Sequence, residues 1–165
     1  MAPITRNRKL RTKLEPATTK AATYTGTMVN MELGGYQELI LTLDITVAER
    51  DSGNETYDFY VVLGDGVSSW DIVHFPQIAA TGAKRYTARV LAERLAEVTT
   101  ATPGVAAEPT SIMKTDTGGS DEGVKTLAAG KVRHGPFGDW IGLIVVIAGT
   151  VVTGISFSVD LQAAG

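Results

Sequence analysis

Glu38-Leu39-Ile40-Leu41-Thr42-Leu43-Asp44-Ile45-Thr46-Val47 decides the fold class. Leu39, Leu41, Leu43, Ile45 and Val47 fall on one side of an extended chain, and Thr42, Asp44 and Thr46 on the other. Ile40 is the single departure. Successive side chains of a strand point to opposite faces, so this period of two marks a strand with one face in a core.

The same period recurs along the chain. Residues 154–161 set Ile155, Phe157, Val159 and Leu161 against Ser156, Ser158 and Asp160. Residues 83–91 set Tyr86, Ala88 and Val90 against Arg85, Thr87 and Arg89. Residues 57–63 are aromatic and β-branched and stop at Gly64-Asp65-Gly66. Residues 69–75 make a short strand that Pro76 ends, and residues 23–33 alternate loosely through Tyr24, Met28 and Met31. Residues 139–148 are almost wholly apolar, the pattern of a strand buried on both faces. Residues 91–98 fit either a helical turn or extended chain, with Thr99, Thr100 and Thr102 favouring the latter. Residues 99–123 read as a long loop with one strand at 111–114, and residues 126–132 as another short strand. About eight strands separated by Gly, Pro and Asp turns, with no long amphipathic helix, predict an all-β fold. The expectation is a jelly-roll-like antiparallel β-sandwich: one domain over residues 23–165, preceded by an extended basic arm over residues 1–22.

Composition excludes much chemistry. The 165 residues are 44% hydrophobic, ample for a core, and hold no Cys and only two His, His74 and His134. Disulfides, Cys-ligated metals and thiol nucleophiles are therefore absent, and a multi-histidine metal site is not expected. The longest apolar run, residues 141–152, is far short of the ~20 residues that span a bilayer. No signal-peptide pattern opens the chain.

Charge is unevenly placed. Residues 1–20 carry six basic side chains against one acid, Glu15; the rest carry nine basic against seventeen acidic. The net −3 is therefore the sum of a +5 arm and a −8 body. Residues 1–22 show no usable periodicity, so the arm is expected to stay disordered until a partner or neighbouring subunit holds it. Arg6, Arg8, Lys9, Arg11 and Lys13 are its candidate contacts with an acidic surface. Removing residues 1–20 is expected to weaken attachment and leave the body folded.

Catalytic constellations are weak. Gly64-Asp65-Gly66 lacks the rest of a phosphate loop and reads as a turn. Residues 66–70 lack the second glycine of a nucleophile elbow. Asp71 and His74 lie three apart in a strand and are expected on opposite faces. Residues 116–123 are acidic and Gly-rich, but the spacing is not that of an EF-hand, and a solvated loop is the plainer reading. Lys131 and Arg133 form a small basic face beside His134. Trp70, Phe75, Phe137 and Trp140 sit beside turns. They read as core packing or, more sharply, as a subunit interface to which Arg85 and Arg89 contribute. No catalytic, cofactor-binding or metal-binding residue emerges.

Four stretches together carry a resemblance: residues 57–62 (Tyr-Asp-Phe-Tyr-Val-Val), 68–78 (Ser-Ser-Trp-Asp-Ile-Val-His-Phe-Pro-Gln-Ile), 81–86 (Thr-Gly-Ala-Lys-Arg-Tyr) and 132–138 (Val-Arg-His-Gly-Pro-Phe-Gly). The chain, over about residues 38–162, resembles small structural proteins encoded among the virion genes of tailed bacteriophages and prophages. In size and β-rich build it is similar to capsid decoration (cement) proteins. That resemblance implies a non-enzymatic protein made in the bacterial cytoplasm and placed on the capsid surface. It implies the major capsid protein as partner, self-association as a trimer or other small oligomer, and no cofactor, direct nucleic-acid contact or membrane. Two alternatives stay open: a tail-tube, terminator or head–tail connector subunit, and a carbohydrate-binding β-sandwich with an exposed aromatic platform.

Overall fold

The computed structural model describes residues 9–92, 97–100, 110–111 and 127–165. Its strands are β1 (Lys9–Lys20), β2 (Tyr24–Thr25), β3 (Val29–Asn30), β4 (Glu38–Ala48), β5 (Thr56–Gly64), β6 (Ser69–His74), β7 (Lys84–Leu91), β8 (Glu97–Thr100), β9 (Thr110–Ser111), β10 (Lys131–His134), β11 (Trp140–Ala148) and β12 (Ile155–Ala164). They pair antiparallel into two sheets. A four-stranded sheet runs β1-β12-β4-β7. An eight-stranded sheet runs β2-β11-β5-β6-β10-β8-β9, with β3 also on β11. Among the described residues, the helical content is a single 3-10 turn at Leu33–Gly35. The protein is an all-β sandwich, as the period-two runs predict.

The core lies between the sheets. Leu39, Leu41, Leu43 and Ile45 of β4 meet Tyr57, Phe59, Val61 and Leu63 of β5, with Ile141, Leu143 and Val145 of β11 and alternate residues of β12. Phe59 and Phe157 meet edge to face, with centroids 4.8 Å apart, and tie one sheet to the other. β11 is covered on its outer face as well. Ile144 packs there with Val62, against Met28, Tyr60 and Val146.

Val47 departs from the expected pattern. Ser156 pairs with Val47 but Phe157 pairs with Ile45, so Thr46 is an extra residue in a β-bulge. A bulge inverts the facing of the residues beyond it. Val47 is 55% exposed and Ala48 turns inward instead. The expected strand over residues 23–33 is two short pieces, β2 and β3, separated at Gly26, whose N–H bonds Leu143 O at 2.8 Å. Any Cβ at Gly26 would lie 3.1 Å from that carbonyl. The expected strand over residues 126–132 begins only at Lys131. Residues 127–130 form a turn that ends in Gly130 at φ +75°.

The arm is in large part a strand of the body. β1 pairs with β12 from Lys9↔Ala164 to Lys20↔Ile155, so the partner that holds it is the chain's own C-terminal strand. Lys9 to Leu14 alternates after all: Leu10 and Leu14 pack on the core while Lys9, Arg11 and Lys13 face out. Arg6 and Arg8, residues 112–114 of the expected strand and the acidic loop over residues 116–123 lie outside the described residues.

Candidate interaction face

The outer face of the four-stranded sheet collects four cations that the sequence places far apart. Register sets Arg11 beside Gln162, Gln162 beside Ile40 and Ile40 beside Arg89. One step along, Lys13 neighbours Asp160, then Thr42 and Thr87. Arg85 lies opposite Asp44. With Lys9, this face holds five basic side chains against three acids: Glu38, Asp44 and Asp160. The basic columns stand on β1 and β7, about 14 Å apart, three strand spacings of ~4.8 Å.

Local chain geometry keeps β1's acid off this face. A bulge between Lys13 and Glu15 moves Glu15 to the side of inward-facing Val159. There it accepts a hydrogen bond from Tyr24 Oη at 3.3 Å. Glu15 and burial together push the Tyr24 phenol above its ordinary range, burial being the larger cause. Lys13 pairs with Asp160 at 3.2 Å and Arg89 pairs with Glu38. Among the described residues, Lys9, Arg11 and Arg85 have no ion-pair partner. Exposed pairs of this kind contribute little stability. An excess of free cations on a flat face instead orients an acidic partner, and salt screens that attraction. Among the described residues of this face none is aromatic.

A second polar group lies on the outer face of the large sheet. A bulge in β6 pairs Val73 with Val61 but Asp71 with Val62, skipping Ile72. Asp71 and His74 therefore share one face, contrary to the spacing argument. They grip one backbone residue from both sides. Leu127 N–H donates to Asp71 Oδ2 at 2.6 Å, and Leu127 O lies 2.7 Å from His74 Nδ1. His74 Nε2 lies 2.9 Å from Asp58 Oδ1, and Tyr60 stacks on the ring at 3.9 Å. Burial raises the Asp58 carboxyl, but hydrogen bonds from His74 and Gln77 and the His74 charge outweigh it and hold it below the usual carboxylate range. Both ring nitrogens face acceptors of the protein itself, which leaves neither directed at a substrate. The group clasps the turn after residue 127. Arg133 belongs to it too: its Nη1 donates to Asp71 O at 2.9 Å and pairs with the Asp71 carboxylate. Arg133 is therefore a nearly buried tie and not half of an open basic face.

Of the turn-flanking aromatics, Phe75 is withdrawn from any surface, and Trp70, Phe137 and Trp140 are half-exposed. Phe75 is fully buried, and Trp70 and Phe137 pack against the core. Trp140, half-exposed like Trp70 and Phe137, lines a groove of about 300 Å³ with Met28, Gly66, Val67 and Ser69. Among the described residues no three His, Cys, Asp or Glu stand close enough to hold a metal ion. Among them, too, no helix is long and apolar enough to cross a membrane.

Comparison of the chain with protein-family models, with curated proteins and with solved structures gives no match. The face itself therefore carries the functional reading. Sequence reasoning found its residues one by one and missed that β1 brings Arg11 and Lys13 onto the sheet that holds Arg85 and Arg89. The alternation from Lys9 to Leu14 was the available signal.

Proposed function

We propose that this chain is a non-enzymatic virion structural protein of the capsid-decoration type, resident on the capsid surface. Its four-stranded sheet docks on an acidic surface of the major capsid protein, and copies associate as a trimer or another small oligomer. The observation that carries this reading is the outer face on which Arg11, Lys13, Arg85 and Arg89 converge. Strand order supports it. Leaving out β3 and β8 to β10, the chain visits the two sheets in the order in which a jelly roll does. We read the fold as a jelly roll enlarged at its β6 edge, a build used by capsid and lectin domains. Fold alone does not fix function, so the charged face and the resemblance carry the argument.

The test is binding of the full chain to capsids stripped of it. The double variant Arg11→Glu/Arg85→Glu is expected to bind at least about tenfold more weakly, a loss of roughly 1.4 kcal/mol. Added salt should weaken the wild type in the same direction. Unchanged binding by a folded double variant overturns the reading. Copy number separates decoration from a tail or connector role: decoration needs copies across the shell, a connector needs one ring. The groove at Trp140 favours one second reading, a glycan-binding module. A Trp140→Ala variant that loses glycan binding, on a wild type that shows it, would move the assignment there.

A further inference from the structure

We propose that β1 is exchanged between copies of this chain: the edge of β12 that β1 covers is an acceptor site, and its alternative occupant is residues 9–20 of another copy. This stands independently of the virion reading. β1 is twelve residues long and pairs with β12 along its length, yet none of its residues is buried. Its hold on the body is a backbone ladder, two half-buried leucines and a few exposed ties. The exposed ties are Lys13 to Asp160 at 3.2 Å and Thr19 Oγ1 to Ser156 Oγ at 2.7 Å; Tyr24 Oη also donates to Glu15 at 3.3 Å, and Lys20 Nζ lies 3.8 Å from the Tyr24 ring centroid. Under it, Phe157, Val159 and Leu161 of β12 point into the core and are buried by other strands too.

The link to the body is short and pinned at one end. Ala21, Ala22 and Thr23 are exposed and lie between β1 and β2. Thr23 Oγ1 accepts from Ile147 N at 3.0 Å, which fixes the start of the large sheet. Ala21 and Ala22 are then the hinge. Redirecting it moves β1 as a unit and leaves the contacts within the rest of the body in place. An exchanged strand makes the same ladder and the same ion pair as the closed one, so the balance depends on concentration and hinge geometry. The +5 arm on a −8 remainder adds an attraction between the arm of one copy and the body of the next.

The chain has no cysteine, which makes a clean test. Lys13 and Asp160 are register partners across the ladder. Full-length Lys13→Cys and Asp160→Cys variants are mixed, incubated at high concentration and joined by a short bis-maleimide. The expected product is a heterodimer linked from position 13 to position 160, growing with incubation time and concentration. A yield no higher than that of a control mixture of Val67→Cys and Asp160→Cys overturns the proposal. In the double variant Lys13→Cys/Asp160→Cys, a bridge closed within one chain before concentration locks β1 at home. That chain should stay monomeric where the unlocked chain dimerises. Equal self-association of locked and unlocked chains also overturns the proposal.

Discussion

Glu49 shows how one side chain can fix a corner of the sandwich. It follows β4 and is buried, with its carboxylate turned into the 152–154 turn. Val152 N donates to it at 3.0 Å and Thr153 Oγ1 at 2.7 Å, and the N–H groups of Thr153 and Gly154 donate as well. The Gly154 N–H is the main cause that holds this carboxyl below the usual glutamate range; burial opposes it, and the Thr153 hydroxyl, Val152 N–H and Thr153 N–H add to the lowering. A carboxylate whose folded value lies below its unfolded one stabilises the fold above the unfolded range, about 4.3 for Glu. That stability disappears as pH falls through the folded value. Glu49→Gln is therefore expected to lower Tm by several degrees at neutral pH. It should also make Tm fall less steeply than in the wild type as pH drops below the unfolded glutamate value of about 4.3. Thermal melts across that range check both outcomes. Asp71 makes a harder case. It is fully buried against nearly buried Arg133, and its loss leaves a desolvated cation. Asp71→Ala should cost about 3 kcal/mol in urea unfolding.

At the scale of the strand, bulges decide which face a residue takes. Leu43 and Val47 stand on the same side by count, four apart in one alternating run. The bulge at Thr46 separates them, leaving Leu43 fully buried and Val47 in solvent. Leu43→Ala should therefore cost about 2–5 kcal/mol. Val47→Thr should change stability by less than about 0.5 kcal/mol. Paired denaturation curves of the two variants test the inversion. The same physics sets what the sequence discloses. Alternation in β4, β7 and β12 is legible because burial of one face leaves a period of two in the residue types. The β6 bulge that puts Asp71 beside His74 is not legible, because it is fixed by register against β5. The break between β2 and β3 follows the edge of β11, a partner more than a hundred residues away. In β1, charge concealed a strand that the Leu10 and Leu14 positions already marked. The cationic face was legible only as separate residues, since three cross-strand registers are needed to assemble it.

Over the whole molecule, β1 closes one edge of the small sheet and brings half of the cationic face with it. At the opposite edge, β7 is tied to β10: Leu91 N–H donates to His134 Nδ1 at 2.9 Å and Gly135 N–H to Leu91 O at 3.1 Å. The two edges are thus managed differently, one by linkage to the other sheet and one by the N-terminal strand. Because β1 is part of the sheet, removing residues 1–20 disturbs the body. It strips the ladder from β12, uncovers part of the core beneath Leu10 and Leu14, and presents the ten-residue edge of β12 unpaired. Two half-buried leucines are worth roughly 2 kcal/mol together. In a domain of this size that lowers Tm by about 4–8 °C. An unpaired β12 edge is also a template for aggregation. Removing residues 1–8 alone takes away Arg6 and Arg8 and no part of β1. Calorimetry should find the shorter truncation within about 1 °C of the full chain. The longer one should melt lower and scatter light on standing. A longer truncation that melts with the full chain and stays clear would show that β1 contributes nothing to the body. The cationic face would then have to be carried by β7 alone.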